Sequence, residues 1–100
     1  MRFLIKVRMP TEAGNHALES PDFVKNLEAG VKAMNAEAFY GCEMDGDRTA
    51  IIIASFDTPD KIPAIAEPFF HLGFQVSMHP AMVMDDLKRG VAGWKAMAKR

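Results

Sequence analysis

The sequence has little cysteine: Cys42 is the only thiol in 100 residues. A single cysteine excludes an internal disulfide and any metal site built from several thiolates. No stretch approaches the roughly 18 consecutive apolar residues that a membrane-spanning helix needs. The first nine residues are interrupted by Arg2, Lys6 and Arg8, whereas a secretory signal has an unbroken apolar stretch. We therefore expect a reducing, cytoplasmic setting and no membrane partner.

The sequence also has no excess of positive charge. The chain has 12 basic and 13 acidic residues, a formal net charge of -1. This balance provides no long-range attraction to phosphate backbones, so nucleic acid is not an expected partner. No glycine-rich phosphate loop follows a strand, and His16, His71 and His79 lack the spacing of metal ligands. We expect neither a metal ion nor an organic cofactor.

Apolar residues make up 49% of the chain, which is typical of a globular protein. A chain of this length builds a single core. The sequence therefore predicts one domain over residues 1–100, with a core at 2–84 and a C-terminal helix at 85–99.

Alternation of apolar and polar residues predicts four strands, at 3–9, 36–44, 49–56 and 74–82. In the first strand the apolar side chains share one face, and Leu4, Lys6 and Arg8 lie on the other. The run Ile51-Ile52-Ile53 is apolar on both faces, as expected of a central strand.

The dipeptide Asp45-Gly46 is a strong signal for a two-residue hairpin turn between the second and third strands. With that turn, Tyr40 lies opposite Ile51 and Cys42 lies opposite Thr49. A longer turn would reverse the faces of the second strand.

Two helices begin with capping signals, at Ser20-Pro21-Asp22 and at Thr58-Pro59-Asp60. Pro63 and Pro68 predict that the second of these is short or bent. The segment 11–19 has no clear period, so we predict a loop there. A last helix opens at Asp85-Asp86, and its apolar stripe is Leu87, Val91, Trp94 and Met97.

The order β-α-β-β-α-β followed by a helix is the pattern of an α+β, ferredoxin-like fold with a four-stranded antiparallel sheet. Right-handed crossovers place both helices on one face of the sheet. The other face has an apolar middle with polar flanks, and a monomer seldom leaves such a patch uncovered. We therefore expect two copies to pair through these faces into a dimeric α/β barrel.

Three segments carry a resemblance to a known group: MRFLIKVRMP at 1–10, IPAIAEPFFHLGFQV at 62–76 and MHPAMVMDDL at 78–87. The chain resembles the dimeric α/β-barrel superfamily, and within it a family of short bacterial proteins of unknown function. The resemblance implies a homodimer with a cavity in each half of the barrel. It implies no single reaction, because the superfamily includes cofactor-free monooxygenases, muconolactone isomerases, haem-degrading enzymes and proteins without known activity.

Five polar side chains are expected on the open face: Lys6, Arg8, Tyr40, Ser77 and His79. The cations suit a carboxylate or an enolate oxygen, and an imidazole moves protons near neutral pH. We take His79 and Tyr40 as catalytic candidates, and Lys6, Arg8 and Ser77 as ligand-binding candidates. Alternatively, the cations reach water, or pair across the dimer with glutamates such as Glu37 and Glu43.

His16 is a further ligand-binding candidate as a lid over the cavity, although a solvated loop histidine is the simpler interpretation. His71 near a helix C-terminus is favoured by the helix dipole, with haem ligation as an alternative. Cys42 fits a packed small residue better than a nucleophile.

Two functions remain open. The first is a homodimer that binds a small anionic or enolisable molecule, with a cofactor-free isomerase or monooxygenase-like enzyme as its catalytic form. The second is a non-catalytic oligomerisation or regulatory module with a filled cavity, as is common in small barrels.

Overall fold

The computed structural model describes residues 1–99. The elements in chain order are β1 (Arg2–Met9), α1 (Thr11–Glu19), α2 (Phe23–Ala33), β2 (Ala38–Met44), β3 (Asp47–Ser55), α3 (Ile62–Phe70), β4 (Gln75–Pro80) and α4 (Met84–Ala98). The four strands form one antiparallel sheet in the order β2-β3-β1-β4. This is an α+β chain with the ferredoxin-like strand order, in which α2 and α3 are the two crossovers.

The core lies between the sheet and one layer of helices. Ile5, Val7 and Ile52, on the two central strands, are 0% exposed. The apolar stripe of α2 and the buried face of α3 pack against them, including Leu27 and Phe69. The predicted inward face of β1 and the central position of β3 are confirmed.

The β2–β3 hairpin turns on Asp45 and Gly46, whose φ angles are 54° and 86°. Both residues lie in the left-handed region that a two-residue hairpin turn requires. Tyr40 therefore lies opposite Ile51, as predicted for a two-residue turn. The faces of β2 follow from this turn.

We expect Gly46→Val to destabilise the chain by about 1–2 kcal/mol, because a side chain with a Cβ is disfavoured in the left-handed region. Gly41→Val, in the extended strand β2, is the matched control, since a Cβ there meets nothing within 4 Å. Urea denaturation of both variants measures the difference. Equal losses at the two positions would contradict this account of the turn.

Segment 11–19 is helix α1, so the predicted loop is wrong. Its contacts explain the weak sequence signal, because the helix buries Gly14 and Ala17, which contribute little apolar surface. A Cβ at Gly14 would lie 2.7 Å from Nη1 of Arg48, so the glycine lets the arginine cross the helix closely. Asn15, which suggested a turn, instead accepts a hydrogen bond from Nη2 of Arg48 at 2.9 Å.

The predicted helix cap at Ser20-Pro21-Asp22 is also wrong in detail. Ser20 ends α1, and α2 starts at Phe23 without a side-chain cap. The Ser20 hydroxyl accepts a hydrogen bond from the backbone N–H of Asp22 at 3.3 Å, so it serves the turn between the helices. Thr58 likewise does not cap a helix, because its hydroxyl bonds to the Asp60 carboxylate. This hydrogen bond lowers the pKa of Asp60.

Helix α3 has nine residues and follows a 3₁₀ turn at Pro59–Lys61, which confirms that the second crossover helix is short. Pro63 lies in its first turn, where a backbone N–H has no helical partner to lose. After α3, Gly73 adopts a positive φ of 81° and directs the chain into β4.

Helix α4 extends away from the rest of the molecule. None of its residues is buried. The chain measures 59 × 28 × 19 Å and has a radius of gyration of 16.6 Å, against about 13 Å for a compact domain of 100 residues. The helix therefore does not cover its own sheet.

Candidate functional site

The candidate site is the sheet face opposite the helices, here called the open face. The strand register fixes its members, because paired residues of neighbouring strands share a face. Its side chains are Arg2, Leu4, Lys6, Arg8, Ala38, Tyr40, Cys42, Met44, Asp47, Thr49, Ile51, Ile53, Ser55, Gln75, Ser77 and His79. The predicted candidates on β1, β2 and β4 therefore lie on one face.

These side chains form rows that cross the strands. The central row is Tyr40, Ile51, Lys6 and Ser77, and the rows beside it are Ile53, Leu4 and His79, and Cys42, Thr49, Arg8 and Gln75. The first two of these rows place polar groups beside apolar ones. The face therefore offers a small molecule an apolar surface next to a cation and hydroxyls.

The two arginines of the face are held by acids of the same chain. Nε of Arg8 lies 2.6 Å from Oδ2 of Asp47, and Nε of Arg2 lies 2.5 Å from Oε1 of Glu37. The hydrogen bond to Glu37 raises the pKa of Arg2. Within residues 1–99, Lys6 forms no such ion pair. Lys6 is therefore the cation of the central row whose charge no acid of the described chain neutralises.

His79 and Ser77 are neighbours on β4. Nε2 of His79 lies 3.3 Å from Oγ of Ser77, within hydrogen-bonding distance. Ser77 is directly opposite Lys6, and His79 is directly opposite Leu4. A shallow depression of about 270 Å³ follows this edge and is lined by Lys6, Arg8, Gln75, Val76 and Ser77.

Tyr40 lies on the other edge strand, β2, and is 66% exposed. Three strand spacings and a register offset separate it from His79, which is roughly 15 Å. Within one chain, the two catalytic candidates therefore cannot act on the same atom of a small ligand.

His16 does not join the open face. It lies on α1, on the helix side of the sheet, and lines a depression of about 280 Å³ between the helices. Its Nδ1 is 3.8 Å from a carboxylate oxygen of Glu19. His71 is also outside the open face, with Nε2 3.5 Å from Glu67.

Two features of this molecule were missed in the sequence. The first is Asp47, the partner of Arg8, which lies just after the hairpin turn. The available sequence signal was that Asp47 and Thr49, two positions apart, lie on the same face of their strand. The second is a groove between α2 and α3, which is lined in part by the small residues Gly30 and Ala64. Sequence spacing shows that these positions share helix faces but not that the helices stand apart.

Comparison with protein-family models and with curated proteins gives no match. In the described part of the chain, no helix combines the length and apolar composition needed to cross a membrane. Nor do His, Cys, Asp and Glu side chains of residues 1–99 gather in a group of three that could hold a metal ion.

Proposed function

We propose that the protein is a homodimer of the dimeric α/β-barrel type, in which two open faces enclose a small anionic or enolisable molecule. The observation that carries the proposal is the central row, where Lys6 stands between Ser77 and Ile51 without an acidic partner in residues 1–99. An ammonium group beside a hydroxyl and an apolar surface suits a small carboxylate. We also place the protein in the cytoplasm, as its single cysteine favours.

We expect the open faces of two copies to pair because the middle of each face is apolar. Leu4, Ile51 and Ile53 are adjacent on the central strands and only partly buried in one chain. A second copy covers them, and the polar rows then border a cavity. In a two-fold pair each copy presents the same groups, so Tyr40 of one copy can approach a ligand held by His79 of the other.

The catalytic form of this proposal is a proton transfer. His79 removes a proton from the carbon next to the ligand carbonyl, and the electron pair moves to the carbonyl oxygen. Lys6 stabilises the resulting enolate, and when the ligand has a β,γ double bond, return of the proton to the γ-carbon gives the α,β-unsaturated isomer. Arg8, held by Asp47 through Nε, still has its terminal nitrogens for a carboxylate.

Native mass spectrometry of the protein purified from its own host tests binding and assembly together. The expected result is a dimer that carries the extra mass of a retained small molecule. A monomer would contradict the dimeric barrel and therefore the enclosed binding site.

We expect Lys6→Gln to weaken this binding about ten- to hundredfold, because a hydrogen bond to a charged group contributes about 1.5–3 kcal/mol. The measurement is the retained mass of the variant, which should remain dimeric. Lys25→Gln, on the exposed side of α2, is the matched control. Retention of the same mass by Lys6→Gln and by His79→Ala would contradict the assigned site.

A second candidate is the non-catalytic module with a filled cavity. It is favoured by the ion pairs of Arg2 and Arg8, since acids of the same chain already satisfy these cations. A dimer that retains no molecule in the same experiment would support this alternative.

A further inference from the structure

Helix α4 presents an apolar stripe that residues 1–99 leave uncovered. Met84, Leu87, Val91, Trp94 and Ala98 recur at spacings of three and four, which places them along one side of the helix. Trp94 is 65% exposed and Leu87 is 44% exposed. Contiguous exposed apolar surface of this kind marks a site of association.

A groove of matching character runs between α2 and α3. Two depressions of about 620 and 280 Å³ share Gly30 and Pro68, so they form one continuous interhelix groove. Its apolar lining includes Phe23, Leu27, Met34, Ile65, Phe69 and Leu72. A Cβ placed on Gly30 meets nothing within 4 Å, so the middle of the groove is open.

Charge separates α4 from the rest of the chain. Residues 1–83 carry eleven acidic and seven basic side chains, a net charge of −4, whereas residues 84–100 carry two acidic and five basic ones, a net charge of +3. Lys88 and Lys95 immediately follow Leu87 and Trp94, so they flank the apolar stripe. The terminal helix therefore complements the body of the chain electrostatically.

The same charges select among the surfaces that α4 could contact. The open face carries Lys6 in its central row, which repels a helix flanked by lysines. Two α4 helices packed together offer Lys88 and Lys95 only Asp85 and Asp86 of the first turn, and Asp86 already pairs with Arg89. The interhelix groove has Asp57 and Lys61 in its lining, and Glu67, which precedes the groove residue Pro68 on α3, adds a second acid beside it.

Helix α4 leaves the groove of its own chain empty. It begins three residues after β4, and the backbone N–H of Ala81 is held by the carbonyl oxygen of Arg2 at 3.0 Å. The N–H of Val83 donates to the Asp86 carboxylate at 3.1 Å, which fixes the start of the helix. From this start α4 contributes to the 59 Å length of the chain.

We infer that α4 of one copy lies in the interhelix groove of a second copy. Each copy has one helix and one groove, so the exchange can be reciprocal and close a pair. The groove is on the opposite side of the sheet from the open face. The inference therefore goes beyond the proposed function and does not depend on it.

Trp94 is the single tryptophan of the chain, so its fluorescence reports directly on this contact. We expect the emission of the full chain to shift to shorter wavelength as protein concentration rises. Gly30→Lys should abolish the shift, because it fills the groove and adds a charge that repels α4. Lysine is a better helix former than glycine by about 0.5–1 kcal/mol, so the variant should fold.

Glu28→Gln is the control, since it changes the net charge by the same amount on the exposed side of α2, where Glu28 pairs with Lys32. It should keep the shift, as should Leu4→Lys, which alters the open face. A shift that survives Gly30→Lys, or is lost in Leu4→Lys, would overturn the groove as the site. Emission that never shifts, or that is already shifted where sedimentation shows a monomer, would overturn association with a second copy.

Discussion

Ile52→Ala is expected to destabilise the folded chain by about 2–5 kcal/mol, the usual loss for truncating a fully buried isoleucine. Ile52 is 0% exposed and packs against the helix layer. Since small domains are stable by about 5–15 kcal/mol in total, this variant should unfold at a much lower urea concentration. Denaturation followed by circular dichroism measures the change.

The neighbouring residue provides the matched control. Ile51 carries the same side chain one position earlier in β3, but it points to the open face and is partly exposed. Ile51→Ala should cost about 1 kcal/mol, the range of strand propensities. Both variants need the same low protein concentration, because association would add its own stability. A larger loss at Ile51 than at Ile52 would mean that the faces of β3 are reversed.

The strands were predictable because their signal is local. Alternation along β1 and the run Ile51-Ile52-Ile53 identify faces without knowledge of the partner strands. The turn at Asp45-Gly46 then set the face of Tyr40, since a two-residue turn fixes the register of the hairpin. The ends of the strands were predicted less accurately. Phe74, which was predicted in the last strand, instead precedes β4 and packs edge to face against Phe23.

Helix α1 was missed because its inward face is made of small residues. Gly14 and Ala17 give almost no hydrophobic period, and Gly14-Asn15 has the composition of a turn. What stabilises this segment is distant in sequence: Arg48 of β3 crosses Gly14 and bonds Asn15. A contact between residues 33 positions apart leaves no mark in the local pattern.

In the candidate site, too, the local sequence pattern predicted some properties, and the tertiary structure determined the others. Alternation predicted which side chains share the open face, but the distance between them depends on strand order. Tyr40 and His79 share a face and still lie on opposite edges of the sheet. Likewise, the neutralisation of Arg8 by Asp47 depends on how β1 pairs with β3. These are tertiary properties: within residues 1–99 they leave Lys6 without an acidic partner and leave Arg8 its terminal nitrogens for a ligand.

In a chain that carries Gly30→Lys, which removes the inferred α4 contact, adding Leu4→Lys is expected to convert a dimer of the proposed type into a monomer. Leu4 lies on a central strand between Ile53 and His79, in the apolar middle of the open face. A lysine there would put one unpaired charge from each copy into the interface, and burying such charges is strongly unfavourable. In a single chain the same side chain can extend into water, so the fold should be retained. Sedimentation velocity measures the mass, and circular dichroism checks the fold.

Val24→Lys is the matched control, because Val24 is an exposed apolar residue on α2, on the other side of the sheet. It should leave the mass unchanged. Leu4→Lys also decides where any bound molecule lies, since a ligand enclosed between open faces must be released when the faces part. A Gly30→Lys chain that stays dimeric after Leu4→Lys is added would show that the open faces are not the interface, and the proposed cavity would have no second wall.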